Sequence, residues 1–284
     1  MKSSLCLILA ILIFLNSCKE KPENETTHTA PEPIPVEADG GIGDGALALD
    51  QAIISRIERA HGKSNFKSGD AIQFKIDLDF GGKNRLSGLM TTTPSNDRIR
   101  IDYKDGNRLL FDGKKVTMTP KDATASSARF DIFTWAYFFA FPYKLNDGGT
   151  NFEIAGEGTL KDDRKFEIFK LSFDPGTGDA PDDWYVGYLN PDGSIRAAGY
   201  IVTFNKEQEK AEKSPHAILY DNYENIDGIP FATQWSFYNW NADTGISGEP
   251  LGNATLSEFR VFQPEEGFFE APKDAQIIAP PSKS

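Results

Sequence analysis

The sequence predicts an α+β fold dominated by one antiparallel β-sheet. Short segments that alternate apolar and polar residues recur from residue 71 to residue 262, and tight turns join them. Strands this close together favour an antiparallel meander over βαβ units. Two segments break the alternation, an amphipathic one at 46–60 and a mostly apolar one at 124–141. We therefore expect one helix before the sheet and a second helix inserted into it.

The helix before the sheet is predicted from apolar residues spaced three or four positions apart. This spacing places them on one side of a helix. They are Ala46, Leu49, Ile53, Ile57 and Ala60. Asp44 is suited to cap the start of this helix, and Gly62 stands where the helix should stop.

The first strand, 71–80, shows the clearest alternation of apolar and polar residues. This period of two predicts one buried face and one solvent-facing face. Gly81 and Gly82 then predict a turn into a partner strand. In the strand at 165–173 the apolar positions change phase between Ile168 and Phe169, which is typical of a β-bulge.

The inserted helix, 124–141, is apolar on nearly every side. Thr124, Ser126 or Ser127 could cap it, and Pro142 should end it. A helix of this kind must be covered on all sides. A sheet that curves around it would leave an apolar concave space, and β cavities of this type bind apolar ligands. The alternative is that side chains fill this space completely.

Seven aromatic residues are the candidate contacts for such a ligand. Five come from the inserted helix and two from strands of the sheet. They are Phe130, Phe133, Trp135, Phe138 and Phe139, with Phe74 and Trp235.

The first eighteen residues predict a targeting signal. Lys2 is followed by an apolar run at 5–15, and Ser17 precedes Cys18. A positive start, a short apolar core and a small residue at the cut describe a secretory signal, here 1–17. Cys18 after the small residue resembles the lipobox of bacterial lipoproteins, which implies cleavage before Cys18 and lipid on its sulfur. The alternative is an ordinary signal with a chance cysteine, since Asn16 departs from the usual lipobox residue.

The rest of the chain divides into three parts. Residues 18–44 are rich in proline and glycine and predict a flexible tether for the lipid-anchored domain. The folded domain is predicted at 45–270, and 271–284 is interpreted as a C-terminal tail.

Composition excludes some classes of function and one kind of stabilisation. The 284-residue chain has a formal net charge of −12, which argues against nucleic acid as a partner. Its 21 phenylalanines are enough for a substantial core. Cys6 would leave with the signal and Cys18 would carry lipid, so the mature chain could form no internal disulfide.

No catalytic, metal or cofactor site is predicted. His28, His61 and His216 lack neighbours at metal-ligand spacing, and His216 is interpreted as a surface loop residue. The acidic loop at 174–183 is interpreted as a solvated turn, although a hydrolase using Asp182 or Asp183 is a competing hypothesis. We therefore expect a protein that is not an enzyme.

Aromatic residues on the later strands allow a second kind of function. If exposed, they would stack on sugar rings; if buried, they are core. They are Trp184, Tyr185, Tyr188, Trp235, Phe237, Tyr238 and Trp240. The strand at 229–240 carries aromatic residues on both faces, so its second face should also be covered.

The order of elements resembles that of the LolA-like lipoprotein carriers. The segment 54–62 followed by the strand at 71–80 is similar to the family opening, and 223–230 followed by a long strand is similar to its later hairpin. The resemblance covers most of 45–270 and implies a half-open β-barrel, here of about 10–11 strands, with helices over its concave face. Family members hold lipid or acylated protein by burial, without a cofactor.

The resemblance implies a lipid-anchored protein of the bacterial envelope that binds an acyl chain, a lipid or another envelope lipoprotein. A lipid anchor differs from the soluble carrier of the family. Lys19 is not the aspartate that sorting rules link to the inner membrane, which favours the outer membrane. The alternative is a carbohydrate- or protein-binding surface lipoprotein without enzymatic activity.

Overall fold

The computed structural model describes residues 48–124, 126–161 and 164–280. The predicted signal peptide, Cys18, the tether and the Asp44 cap lie outside these residues. The helices are α1 (Leu49–Ala60), α2 (Ala128–Ala140) and α3 (Gln208–Ala211), with 3₁₀ turns at Lys63–Asn65 and Phe141–Tyr143. The strands are β1 (Ala71–Phe80), β2 (Lys83–Thr92), β3 (Ile99–Tyr103), β4 (Arg108–Phe111), β5 (Val116–Thr119), β6 (Thr150–Thr159), β7 (Lys165–Phe173), β8 (Tyr185–Leu189), β9 (Ile195–Tyr200), β10 (His216–Ile226), β11 (Ile229–Asn241), β12 (Gly245–Phe262) and β13 (Gln276–Ile278).

All these strands form one antiparallel sheet of 13 strands in the order β13-β5-β4-β3-β2-β1-β12-β11-β10-β9-β8-β7-β6. The sheet is curved and not closed, because its end strands β13 and β6 do not pair with each other. The predicted α+β half-barrel is confirmed. The sheet has more strands than the 10–11 expected from the sequence, and β13 lies within the segment interpreted as a tail.

Hairpin turns follow the glycine signals of the sequence. Gly81 and Gly82 join β1 to β2 with φ of 63° and 71°, which only glycine adopts without cost in consecutive positions. Asp227 and Gly228 join β10 to β11 in the same left-handed region. Two-residue turns of this type match the twist of the strands. The turn sets the register of β10–β11 throughout, whereas a bulge shifts the β1–β2 register by one residue between Leu78 and Asp79.

One sheet face, here called the inner face, packs against α2. Phe74, Ile76 and Leu78 alternate along β1 and are fully buried there. Phe139 of α2 contacts Phe74, with ring centroids 4.3 Å apart and the planes tilted by 30°, and it stacks on Phe231 of β11 at 5.6 Å. These aromatic contacts dock α2 on the middle of the sheet.

The inserted helix is shorter than its apolar run. Ser127 stands at its N-cap position, and Pro142 lies in the 3₁₀ turn that ends it, as the sequence predicted. The buried side chains cover slightly more than half of the helix circumference, and the remaining side is half-buried and faces open space. The buried residues are Ala128, Asp131, Ile132, Trp135, Ala136, Phe138, Phe139 and Ala140.

Helix α1 is rotated relative to the prediction. Its buried residues are Ile54 and Ile57, whereas Leu49 of the predicted apolar face is 69% exposed. His61, one turn beyond Ile57, continues the buried stripe. Ile54, Ile57 and His61 are also spaced three and four positions apart, so the spacing alone fits two neighbouring faces. Tertiary packing decided which of them is buried.

The opposite sheet face, here called the outer face, has its own apolar cluster near β7, β8 and β11. It includes Phe166, Tyr188 and Trp240, and Trp240 Nε1 donates a hydrogen bond to the Tyr188 hydroxyl at 3.0 Å. The prediction that the second face of β11 is covered is therefore confirmed.

The outer cluster also explains an incorrect prediction about β7. Its pairing with β8 is continuous, and the bulge lies in β6 between Ile154 and Gly156. The apparent phase change arises because Phe166 and Ile168 pack in the outer cluster while Phe169 packs in the inner core.

Strand β12 is long and begins already at Gly245. Ile246 N–H donates to the Leu160 carbonyl at 2.8 Å, which ties the start of β12 to the end of β6. Among the described residues, no helix is long and apolar enough to cross a membrane.

Candidate ligand-binding cavity

Two cavities flank α2 on the inner face. The larger, here called the main cavity, measures about 470 Å³, and the smaller, the side cavity, about 340 Å³. Thr134 of α2 and Val202, just after β9, line both of them. Ligand pockets in proteins commonly measure about 300–1,000 Å³, so the main cavity is large enough for a small ligand.

Apolar side chains from distant strands form most of the main cavity wall. Phe111 ends β4, Phe173 ends β7, Tyr185 begins β8, and Phe133 and Tyr137 project from α2. Several of these rings contact one another, with Phe111 and Phe133 at 5.1 Å and Tyr137 and Tyr185 at 5.2 Å. Because the sheet curves, strand ends far apart in sequence meet at one cavity.

Charged and uncharged polar residues line the rest of the main cavity. Arg129 forms a bidentate ion pair with Asp179, at 2.7 and 2.8 Å, and its third nitrogen donates to the Ile278 carbonyl at 3.2 Å. Lys144 pairs with Asp147 and also donates to a backbone carbonyl. Both cations of the wall are therefore already engaged by carboxylates of the same wall.

Asp183 is the third carboxylate of this wall. Its Oδ1 accepts hydrogen bonds from the Thr203 backbone N–H at 2.6 Å and the Thr203 hydroxyl at 2.7 Å. Burial raises the pKa of Asp183 to about 6, against the lowering effect of the Thr203 hydrogen bonds. The carboxyl group is therefore held in a fixed orientation at an apolar wall.

Tyr137 carries a polar atom without a partner. Its hydroxyl oxygen is buried and makes no hydrogen bond to the described part of the chain. Burial raises the pKa of this hydroxyl well above its usual value, so the group stays neutral. Its ring lines the main cavity between Phe133 and Tyr185.

The structure distributes the seven predicted contact residues over different places. Phe133 lines the main cavity, and Phe130, Trp135 and Phe138 line the side cavity. Phe139 and Trp235 line a recess of about 20 Å³, which holds no more than about one water molecule. Phe74 is fully buried in the aromatic stack under α2.

Sequence reasoning missed Tyr137, Phe111, Phe173 and Asp183 as cavity residues. Tyr137 belongs to the apolar segment already noted, and Asp183 to the acidic loop, but their meeting depends on sheet curvature. That loop is not a solvated turn throughout, because Asp179 pairs with Arg129 and Asp183 is half-buried.

His61 and His216 have structural roles, and His28 lies outside the described residues. His61 is buried, and its Nε2 accepts a hydrogen bond from the Ile195 backbone N–H at 3.0 Å. His216 is not in a loop, since it begins β10 and lies 6.0 Å from the rings of both Phe80 and Tyr200. Within residues 48–124, 126–161 and 164–280 no group of three or more His, Cys, Asp or Glu is arranged to hold a metal ion.

The exposed aromatic platform of the carbohydrate hypothesis does not form from Tyr185 and Trp240. Both residues are buried, Tyr185 beside the main cavity and Trp240 in the outer cluster. Trp184 is half-buried and lies 5.8 Å from Trp240.

We expect His61 and Asp183 to have opposite effects on stability at acidic pH. Burial lowers the pKa of His61 from 6.5 to about 4, so its contribution is lost as pH falls through that window. The pKa of Asp183 rises from 3.8 to about 6, so its contribution grows as pH falls from about 6 to 3.8. Each group changes the free energy of unfolding by about 3 kcal/mol over its window. In the wild type the two changes have opposite signs and largely cancel.

Urea unfolding at pH 7 and pH 4.5 checks this expectation. Asp183→Asn should lose more stability on acidification than the wild type, and His61→Gln should lose less. The exposed Asp182→Asn should stay closest to the wild type, because the Asp182 charge is the smallest cause of the raised pKa of Asp183. Equal pH dependence in all four proteins would contradict the assignment.

Comparisons with known proteins agree with this architecture. No protein-family model and no curated protein sequence matches the chain. A LolA superfamily protein from Nitrosomonas europaea is similar in structure, with a TM-score of 0.51, 12% identity, and coverage of 79% of this chain and 99% of its own.

Two further solved structures align more loosely. A DUF1329 family protein from Desulfovibrio piger aligns with a TM-score of 0.44, 15% identity, and coverage of 79% of this chain and 98% of its own. The lipoprotein LppX from Mycobacterium tuberculosis aligns with a TM-score of 0.25, 10% identity, and coverage of 74% and 96%. The first comparison, together with the open antiparallel sheet and its inserted helix, shows that this chain has a LolA-like fold.

Proposed function

We propose that this protein binds an acyl chain, a lipid or the acyl part of a lipoprotein in the main cavity, and that it is not an enzyme. The observation that carries this proposal is a cavity of about 470 Å³ walled by Phe111, Phe133, Tyr137, Phe173 and Tyr185. Burial of apolar surface contributes about 25 cal/mol per Å² before ordering costs, so an acyl chain needs no charged contact to bind there.

The place of action is proposed from the N-terminal sequence. A signal at 1–17 and a lipid on Cys18 would anchor the domain in the bacterial envelope, and Lys19 favours the outer membrane. The tether at 18–44 would let the cavity reach lipids or other envelope lipoproteins beside it. Stable anchoring takes two or more acyl chains, which a bacterial lipoprotein supplies.

The test uses the whole chain as Cys18→Ser, which removes the proposed anchor and should move the protein out of the membrane fraction. After purification without detergent, organic extraction and mass spectrometry should detect bound acyl lipids. The delipidated protein should then take up a fluorescent neutral acyl probe. Absence of both co-purified lipid and probe uptake would rule out the proposed function and leave a protein-binding surface lipoprotein as the alternative.

A further inference from the structure

The charges of the main cavity wall do not balance. Arg129 and Lys144 are paired with Asp179 and Asp147, as described above. Asp183 forms no ion pair with any described residue. Its neighbours are Asp182 in the same loop, Tyr185 on β8, Tyr200 on β9 and Tyr137 on α2, and none of these is a cation. When Asp183 is ionised, the wall therefore carries one negative charge in excess.

Asp183 also has free hydrogen-bonding capacity. Thr203 occupies only Oδ1, and Oδ2 has no hydrogen-bond partner within 48–124, 126–161 and 164–280. The hydroxyls of Tyr185 and Thr134, which line the same cavity, likewise make no hydrogen bond to residues of these ranges. A carboxylate and two hydroxyls of this wall thus have donor and acceptor positions that no described residue uses.

We propose that the main cavity selects acyl chains with a neutral polar head, an ester, amide or alcohol, over free fatty acids of the same length. This inference rests on the proposed function. A carbonyl of the head would accept hydrogen bonds from Tyr185 or Thr134, and a hydroxyl or amide N–H would donate to Asp183 Oδ2. These groups then bond to the ligand in place of water, since no described residue occupies them.

The carboxylate of a free fatty acid would be disfavoured in the main cavity. It would place a second negative charge near Asp183, and like charges in a low-dielectric wall repel strongly. Capture by Arg129 or Lys144 would require breaking the Asp179 or Asp147 pair, and Arg129 also holds the Ile278 carbonyl of β13. The cations of the wall are therefore poorly placed to compensate a fatty acid.

The experiment compares 1-monooleoylglycerol with oleate, which carry the same chain. Each lipid is used at pH 8, below the concentration at which that lipid aggregates, to displace the fluorescent neutral probe from the Cys18→Ser protein. Burial raises the pKa of Asp183 only to about 6, so this group is ionised at pH 8. The ester should displace the probe at a concentration lower by about tenfold or more, the factor that corresponds to one pKa unit of charge repulsion.

Asp183→Asn keeps an oxygen for Thr203 but removes the charge. It should raise the oleate affinity by about tenfold. The ester affinity should fall, because the Nδ2 amide replaces the acceptor Oδ2, so the preference for the ester should disappear. Asp182→Asn, a neighbouring exposed carboxylate, should leave the preference unchanged.

The outcomes separate this inference from the proposed function. Equal displacement by both ligands in the wild type, or a preference that Asp183→Asn leaves intact, would overturn the selection for neutral heads while acyl binding stands. Failure of the protein to take up the probe at all would overturn the proposed function itself.

Discussion

Replacing Thr134 with tryptophan should abolish uptake of an acyl probe while leaving the fold intact. Thr134 lies on α2 at the junction of the main and side cavities and is only half-buried, so the larger ring has open space to enter. An indole there would occupy the volume that the ligand needs. We expect the affinity to fall at least tenfold, which corresponds to about 1.4 kcal/mol. Fluorescence titration measures the affinity, and thermal unfolding verifies the fold.

A matched control is Thr255→Trp. Thr255 is exposed on β12 and lines neither cavity. This variant makes the same change of residue and should bind the probe as the wild type does. Normal binding by a folded Thr134→Trp protein would show that the ligand lies elsewhere.

Replacing Phe139 with alanine should cause a large loss of stability. Phe139 is buried, and its ring lies among those of Phe74 at 4.3 Å, Phe231 at 5.6 Å and Phe259 at 6.4 Å. These partners come from β1, β11 and β12, so the cavity created by the substitution would open where α2 meets the sheet. Truncation of a buried phenylalanine typically costs about 3–5 kcal/mol. Urea unfolding measures the change in the free energy of unfolding.

Two further variants test whether the aromatic stack causes the loss of stability in Phe139→Ala. Phe139→Leu keeps most of the volume and should cost less than about 1.5 kcal/mol. Phe130→Ala removes a half-buried ring of the same helix at the side cavity, and should cost less than Phe139→Ala. If Phe139→Ala cost no more than Phe130→Ala, the aromatic stack would not be what holds α2 on the sheet.

Local patterns in the sequence were sufficient for the fold class. Alternation along β1, the glycines after it, and an apolar run ended by Pro142 depend on neighbours within a few residues. Steric limits on φ and the two periodicities of helix and strand act at this range. They therefore predicted the antiparallel sheet, its first hairpin and the inserted helix.

Long-range pairing decided what these patterns left open. The start of β12 depends on Leu160, and β13 forms only because Gln276–Ile278 meets β5. Helix α1 buries the predicted Ile57 together with Ile54, and it leaves Leu49 exposed, because of the surface on which it packs. Each of these features needs a partner far away in the chain, and single-sequence periodicity carries no information about such partners.

The cavity shows the same division. An apolar helix inside a curved sheet was predicted, and so was an apolar space beside it. Which rings fill that space and which line it was decided by packing: Phe74 and Phe139 stack tightly, whereas Phe133 faces the main cavity with Tyr137, Tyr185 and Asp183. Hydrophobicity makes a residue avoid water, but only the close packing of side chains from distant strands determines where a void remains.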